Sequence, residues 1–124
     1  MKPKIAVVED NPDNRMLVEA LLEDTYEISE YETGIEAVEG LSDNVPDLVL
    51  LDISLPGMDG TEVLQWIRSQ DEFLELPVIA LTAHAMSGDR EKYLDMGFND
   101  YLTKPIIDED LLMGAIERLL TGTA

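Results

Sequence analysis

The chain has 124 residues, room for one domain that can bury about two-thirds of its unfolded surface and fold alone, and no room for a second effector domain. Its 27 Asp and Glu against 8 Lys and Arg give a formal net charge of −19, a surface that repels nucleic acid and anionic lipid and argues against direct DNA or membrane binding. With no Cys there is no disulfide framework or thiolate chemistry; no apolar signal segment opens the chain and no run approaches the ~20 apolar residues of a membrane span, so a cytoplasmic protein is expected.

Short apolar runs alternate with helical patterns five times, which predicts a parallel α/β sheet covered on both faces. Ile5–Val8 reads as a first, doubly buried strand ending in Glu9-Asp10. Asn11 before Pro12 then opens a helix with Met16, Leu17, Ala20 and Leu21 on one face. Tyr26-Glu27-Ile28-Ser29 alternates as an edge strand does, and Thr33-Gly34 starts a second helix carrying Ala37, Val38 and Leu41. Leu48–Leu51 reads as a buried strand running into Asp52. Asp59-Gly60-Thr61 opens a third helix with Val63, Leu64 and Ile67. Val78–Leu81 is the next buried strand, closed by Thr82. A fourth helix is expected from about Ser87 to Met96, stopped by Gly97. Asp100-Tyr101-Leu102-Thr103 is the last strand, followed by Lys104. Asp108 is expected to cap a fifth helix whose Leu111, Leu112, Ala115, Ile116, Leu119 and Leu120 form a stripe. Trp66 and the six Met residues read as packing.

Charged or hydroxyl residues thus stand at the carboxyl ends of nearly all the strands, where open α/β sheets place their sites. Glu9, Asp10 and Asp52 gathered there would repel one another unless a cation sat among them. Each residue taken singly has a plain reading: Asp10 and Asn11 can cap a helix, Asp52 can end a strand, Thr82 can be a buried hydroxyl, Tyr101 a packing aromatic and Lys104 a solvated lysine. Their co-occurrence at successive strand ends is what favours a site.

Four segments, Val8-Glu9-Asp10-Asn11, Leu51 through Gly60, Ala80-Leu81-Thr82-Ala83-His84 and Tyr101-Leu102-Thr103-Lys104-Pro105, together resemble the receiver domains of bacterial two-component response regulators, the CheY-like family. The resemblance runs from Lys4 to about Leu120 and implies one receiver domain over 1–124, a doubly wound five-stranded sheet in the order 2-1-3-4-5 with five helices. It implies that Asp52 accepts a phosphoryl group from a histidine kinase or histidine phosphotransfer protein. Mg²⁺, or Mn²⁺ in its place, would be held by Glu9, Asp10, Asp52 and the backbone carbonyl of Ser54, and would offset the charge of attack on an anionic group.

The resemblance further implies that Lys104 contacts a phosphoryl oxygen across a cis Lys104–Pro105 peptide, and that Thr82 and Tyr101 form a two-state switch altering the surface of helix four, strand five and helix five. Ser54 and His84 are expected to tune phosphoaspartate lifetime, and Arg15, Met16, Pro105 and Ile106 to dock the kinase. Such a protein signals rather than turns over a substrate, as a monomer or weak dimer reading out to an unnamed downstream protein.

Other functions fit less well. A haloacid-dehalogenase phosphatase would want a second Asp where Ser54 stands, a flavodoxin a glycine- and hydroxyl-rich loop where Glu9-Asp10-Asn11 stands, and neither an EF-hand nor a Rossmann fingerprint occurs. A pseudo-receiver that is never phosphorylated would lack part of the acidic pair, the acceptor or the Lys, all of which are kept. Ending after helix five, the chain resembles a stand-alone regulator acting by partner binding or in a phosphorelay, with the receiver of a longer hybrid kinase or regulator as the alternative.

Overall fold

The computed structural model describes residues 2–55, 57–82, 89–103 and 109–121. Five parallel strands, β1 (Lys4–Val8), β2 (Glu27–Tyr31), β3 (Leu48–Asp52), β4 (Val78–Thr82) and β5 (Asp100–Thr103), form one sheet in the order β2-β1-β3-β4-β5. Helices α1 (Pro12–Leu22), α2 (Gly34–Leu41), α3 (Gly60–Ser69), α4 (Asp89–Met96) and α5 (Glu109–Thr121) make the connections, with a 3₁₀ turn at Asp71–Phe73 before β4. The expected fold and strand order are therefore both present.

Period-two alternation along the central strands sorts their side chains into two cores. Ala6, Val8, Val49, Leu51, Val78 and Ala80 face Ala37 and Leu41 of α2, Val63, Leu64 and Ile67 of α3, and Tyr93 of α4. Ile5, Val7, Leu48, Leu50, Ile79 and Leu81 face Val18 and Leu22 of α1 and Leu112, Ala115 and Ile116 of α5. All five residues of β3 and of β4 are buried, as a strand covered on both faces requires.

Helices α1, α2 and α3 begin where their caps predict. Asn11 Oδ1 accepts the N–H groups of Asp13 and Asn14 at 2.8 and 3.2 Å, and Thr33 and Asp59 cap α2 and α3 in the same way. At the end of α4 the Phe98 N–H donates to the Tyr93 carbonyl and the Gly97 N–H to the Leu94 carbonyl, with Gly97 at φ +117°. That pairing satisfies the last carbonyls of the helix and calls for a residue without a Cβ. The expected start of the fourth helix at Ser87 and the Asp108 cap lie outside the described residues.

The β2 boundary differs from the sequence reading by a residue or more at each end. Tyr26 does not join the strand: its N–H donates to the Leu22 carbonyl at 2.8 Å, finishing α1, and its ring is buried among the α1 and α5 side chains. The ladder begins at Glu27 and continues to Tyr31, which stands opposite Val8. Asp52 and Thr82 are themselves the last residues of β3 and β4.

Arg68, in the last turn of α3, acts as an internal strut. Its guanidinium donates to the carbonyls of Phe73, Leu76 and Gly97 at 3.0, 2.8 and 2.9 Å and to Asn99 Oδ1 at 2.8 Å. The same Asn99 oxygen accepts the Val78 N–H at 2.9 Å, so α3, the amino end of β4 and the α4–β5 connection meet at one cation. Burial pushes the Arg68 pKa down from its usual value, and the group remains a guanidinium at any physiological pH.

Candidate functional site

The carboxyl ends of β1 and β3 lie side by side, with Val8 opposite Leu51, so Glu9 and Asp10 leave β1 beside Asp52. One carboxylate oxygen from each of Glu9, Asp10 and Asp52 lies within 4.8 Å of the others. Glu9 and Asp52 are each 1% exposed, whereas Asp10 faces solvent. Burial of two carboxylates beside a third is costly unless charge is compensated, and an all-oxygen donor set with one solvent-facing member suits a hard divalent cation that keeps some of its waters.

Local backbone holds these groups in place. The Asn11 N–H donates to Glu9 Oε2 at 3.2 Å, and the Ser54 N–H donates to Asp52 Oδ1 at 3.0 Å. The Glu9 N–H is tied to the Tyr31 carbonyl at 3.0 Å, fixing the chain as it leaves β1. Arg15 Nη1 donates to the carbonyls of Glu9 and Asp10 at 2.8 and 3.2 Å, while Nη2 reaches Glu32 Oε1 at 3.4 Å.

The loop after β3 is held by glycines. The Gly60 N–H donates to the Ile53 carbonyl at 3.0 Å, and a Cβ at Gly60 would collide with the Asp52 carbonyl and lie 2.8 Å from the Ile53 Cα. A Cβ at Gly34 would meet the Met58 carbonyl at 2.5 Å, so the start of α2 presses on the same loop. Gly57, at φ +74°, makes its turn in open space.

Of the other residues singled out, Thr82 is 3% exposed at the end of β4, one position beyond Leu81, which stands opposite Asp52. Thr82 pairs in register with Thr103, and Tyr101 of β5 is partly buried against the core shared by α2, α3 and α4. Ser54 is exposed. Met16 is 68% exposed on α1, whereas the Arg15 side chain is 13% exposed and engaged with the loop after β1. Lys104, Pro105, Ile106 and His84 lie outside the described residues.

Sequence reasoning missed Arg15 as a support for Glu9 and Asp10, and missed Tyr93, whose ring meets that of Tyr101 at 5.8 Å. Arg15 falls four residues after the Asn11 cap, on the turn that faces back to the strand end, which is a usable signal. Tyr93 carries none, because α4 is polar around most of its circumference.

Residues 5–117 match the model of the response regulator receiver domain. The chain belongs to that family. Over 113 residues it is 42% identical to the sensor protein GacS of Pseudomonas syringae pv. syringae, covering 88% of this chain but 12% of GacS. Over 107 residues it is 41% identical to the polar-differentiation response regulator DivK of Brucella anthropi, covering 86% of this chain and 87% of DivK. Receiver domains thus occur both within long sensor kinases and as chains of about this size. Among solved structures, the receiver domain of sensor histidine kinase PA1611 from Pseudomonas aeruginosa, which has a magnesium ion coordinated in its active-site cleft, is 38% identical with a TM-score of 0.88, covering 98% of this chain and 99% of that one. The signal receiver domain of a histidine kinase from Syntrophus aciditrophicus is 34% identical with a TM-score of 0.86, covering 98% and 92%. Among the described residues of this receiver no helix is long and apolar enough to cross a membrane.

Proposed function

We propose that this receiver accepts one phosphoryl group on Asp52 from a phosphohistidine of a histidine kinase or phosphotransfer protein, and that the modified domain is then read by a downstream protein or passes the group on. The observation that carries this reading is the convergence of Glu9, Asp10 and Asp52 at the carboxyl ends of adjacent strands, with the acceptor carboxylate buried and oriented by the Ser54 N–H. A divalent cation, Mg²⁺ or Mn²⁺, would be held by these three carboxylates and the Ser54 carbonyl; bound there, it would neutralise the charge that builds up between two anionic reactants.

Asp52 supplies the nucleophile. One carboxylate oxygen forms the new O–P bond as the P–N bond to the donor imidazole breaks, and the imidazole nitrogen keeps the electron pair. Glu9 and Asp10 act as cation ligands and do not exchange a phosphoryl group. The Ser54 N–H orients the Asp52 carboxylate by holding its Oδ1. Lys104 is assigned to a phosphoryl oxygen as a compact positive charge, and Thr82 and Tyr101 to the switch that follows. Ser54 and His84 are assigned to phosphoaspartate lifetime. Kinase docking is assigned to α1 around Arg15 and Met16 together with Pro105 and Ile106; Met16 offers the exposed apolar contact. On this reading the chain is one receiver domain over 1–124, a cytoplasmic signalling protein and not a turnover enzyme, monomeric or weakly dimeric.

The test is intact mass after incubation with acetyl phosphate, with and without Mg²⁺, on the wild type and on Asp52→Asn. One phosphoryl addition requiring both Mg²⁺ and Asp52 is expected. Labelling that persists in Asp52→Asn would refute the acceptor assignment.

A further inference from the structure

The side chains of α4 whose surroundings are described are mostly solvated: Glu91, Lys92, Asp95 and Met96 are exposed. Leu94 is partly buried, and Tyr93, at 7% exposure, is the buried one among them, joining the helix to the core beneath α2 and α3. One side of its ring meets Phe98 edge-on, with centroids 5.9 Å apart and planes at 87°; Phe98 is itself 3% exposed. The same ring meets Tyr101 of β5, with centroids 5.8 Å apart and planes at 30°, and the Lys92 ammonium lies 5.4 Å from its centroid. Phe98 follows Gly97, whose carbonyl is gripped by Arg68. One ring neighbour of Tyr93 is therefore fixed to the body of the domain, and another is a partly buried ring on an edge strand.

An asymmetric seat of this kind has a mechanical consequence. Tyr101 cannot leave its position without giving up its ring contact with Tyr93, and Tyr93 cannot follow without changing its contact with Phe98. An aromatic pair contributes beyond the area it buries, so the two rings favour a common arrangement. We propose that Tyr93 is the positioning residue for Tyr101, the side chain by which α4 senses where that ring lies. The proposal rests on the reading of Tyr101 as a switch coupled to phosphorylation of Asp52. A ligand at Asp52 that shifts Tyr101 must then, by linkage, bind with an affinity that depends on Tyr93.

The experiment is a double-mutant cycle on the full chain: wild type, Tyr93→Leu, Tyr101→Ala and the double variant, with beryllofluoride as the phosphoryl analogue, saturating Mg²⁺, and calorimetric titration as the readout. Tyr93→Leu is expected to change the dissociation constant by about threefold to tenfold, the scale of one aromatic pair, and to have no further effect once Tyr101 is Ala. Tyr93→Phe, which keeps the ring, is expected to behave as wild type. Tyr93→Met, with an unbranched side chain that adapts to irregular space, gives the same reading should the Leu variant be poorly folded. Equal shifts from Tyr93→Leu in both backgrounds, or none in either, would overturn the proposal while leaving the switch intact. An unchanged affinity in Tyr101→Ala alone would instead remove Tyr101 from the switch, and the Tyr93 assignment with it.

Discussion

Gly60 packs directly onto the backbone of Asp52: the hydrogen that stands in place of a side chain is all that separates the first turn of α3 from the Asp52 carbonyl. The position tolerates no methyl group, because the neighbouring atoms are main chain and cannot rotate away.

Gly60→Ala is accordingly expected to cost about 3 kcal/mol in urea unfolding and to weaken Mg²⁺ binding, since relief of the clash moves the chain that carries Asp52. Gly57→Ala is the control. Its Cβ would meet nothing within 4 Å, so only the strain of φ +74° is paid, about 1 kcal/mol, with little effect on the cation.

Asp10→Ala removes the solvent-facing carboxylate from the cluster. Without divalent cations the variant should be at least as stable as wild type, because a like charge has been taken from beside two buried ones. The wild type should gain about 2.7 kcal/mol at Mg²⁺ a hundredfold above its dissociation constant, and the variant should gain far less at the same concentration. Thermal unfolding with and without Mg²⁺ measures both. A sharp loss of stability in the cation-free variant would contradict the picture of mutually repelling carboxylates.

Asn11→Ala separates capping from cation binding. Loss of the two N–H acceptors at the start of α1 should cost about 1 kcal/mol. The bond from position 11 to Glu9 is donated by the main chain and survives the substitution. Mg²⁺ affinity by titration should therefore stay close to wild type while the urea midpoint falls.

Asp59 sets part of the acid limb of stability. The Thr61 hydroxyl and then the Glu62 N–H donate to its carboxylate and hold its pKa below the ordinary value of 3.8. A group depressed on folding stabilises the native state fully above its unfolded pKa, and that contribution is lost as pH falls through the folded value. The advantage of wild type over Asp59→Asn, which keeps a capping oxygen but does not titrate, should be constant above about pH 5 and shrink below pH 4. Urea unfolding at pH 3, 4, 5 and 7 follows it.

The ends of the strands other than β2, the acidic cluster and the starts of α1, α2 and α3 were legible because each rests on local chemistry: apolar runs, caps, and charged residues placed where apolar runs stop. Tyr26 was misplaced because an aromatic beside an alternating run looks like strand, and only its hydrogen bond to the Leu22 carbonyl assigns it to the end of α1. The burial of Glu9 against the exposure of Asp10 depends on how the loop after β1 turns under Arg15, a tertiary relationship with no periodic signature. Tyr93 was hidden for the same reason. One buried residue among the described side chains of a mostly polar helix leaves no stripe to detect.

Arg68 has a consequence for how the molecule meets changing solution conditions. Ion pairs exposed on so acidic a surface weaken as salt rises and dissolve as carboxylates protonate. The acceptors around Arg68 are carbonyl and amide oxygens, which neither titrate nor attract counterions. The joint between α3 and the end of α4 is thus fastened by neutral dipoles around a permanent cation. The far end of α4 should keep its anchorage across ionic strengths and acidities that rearrange the charges elsewhere on the surface.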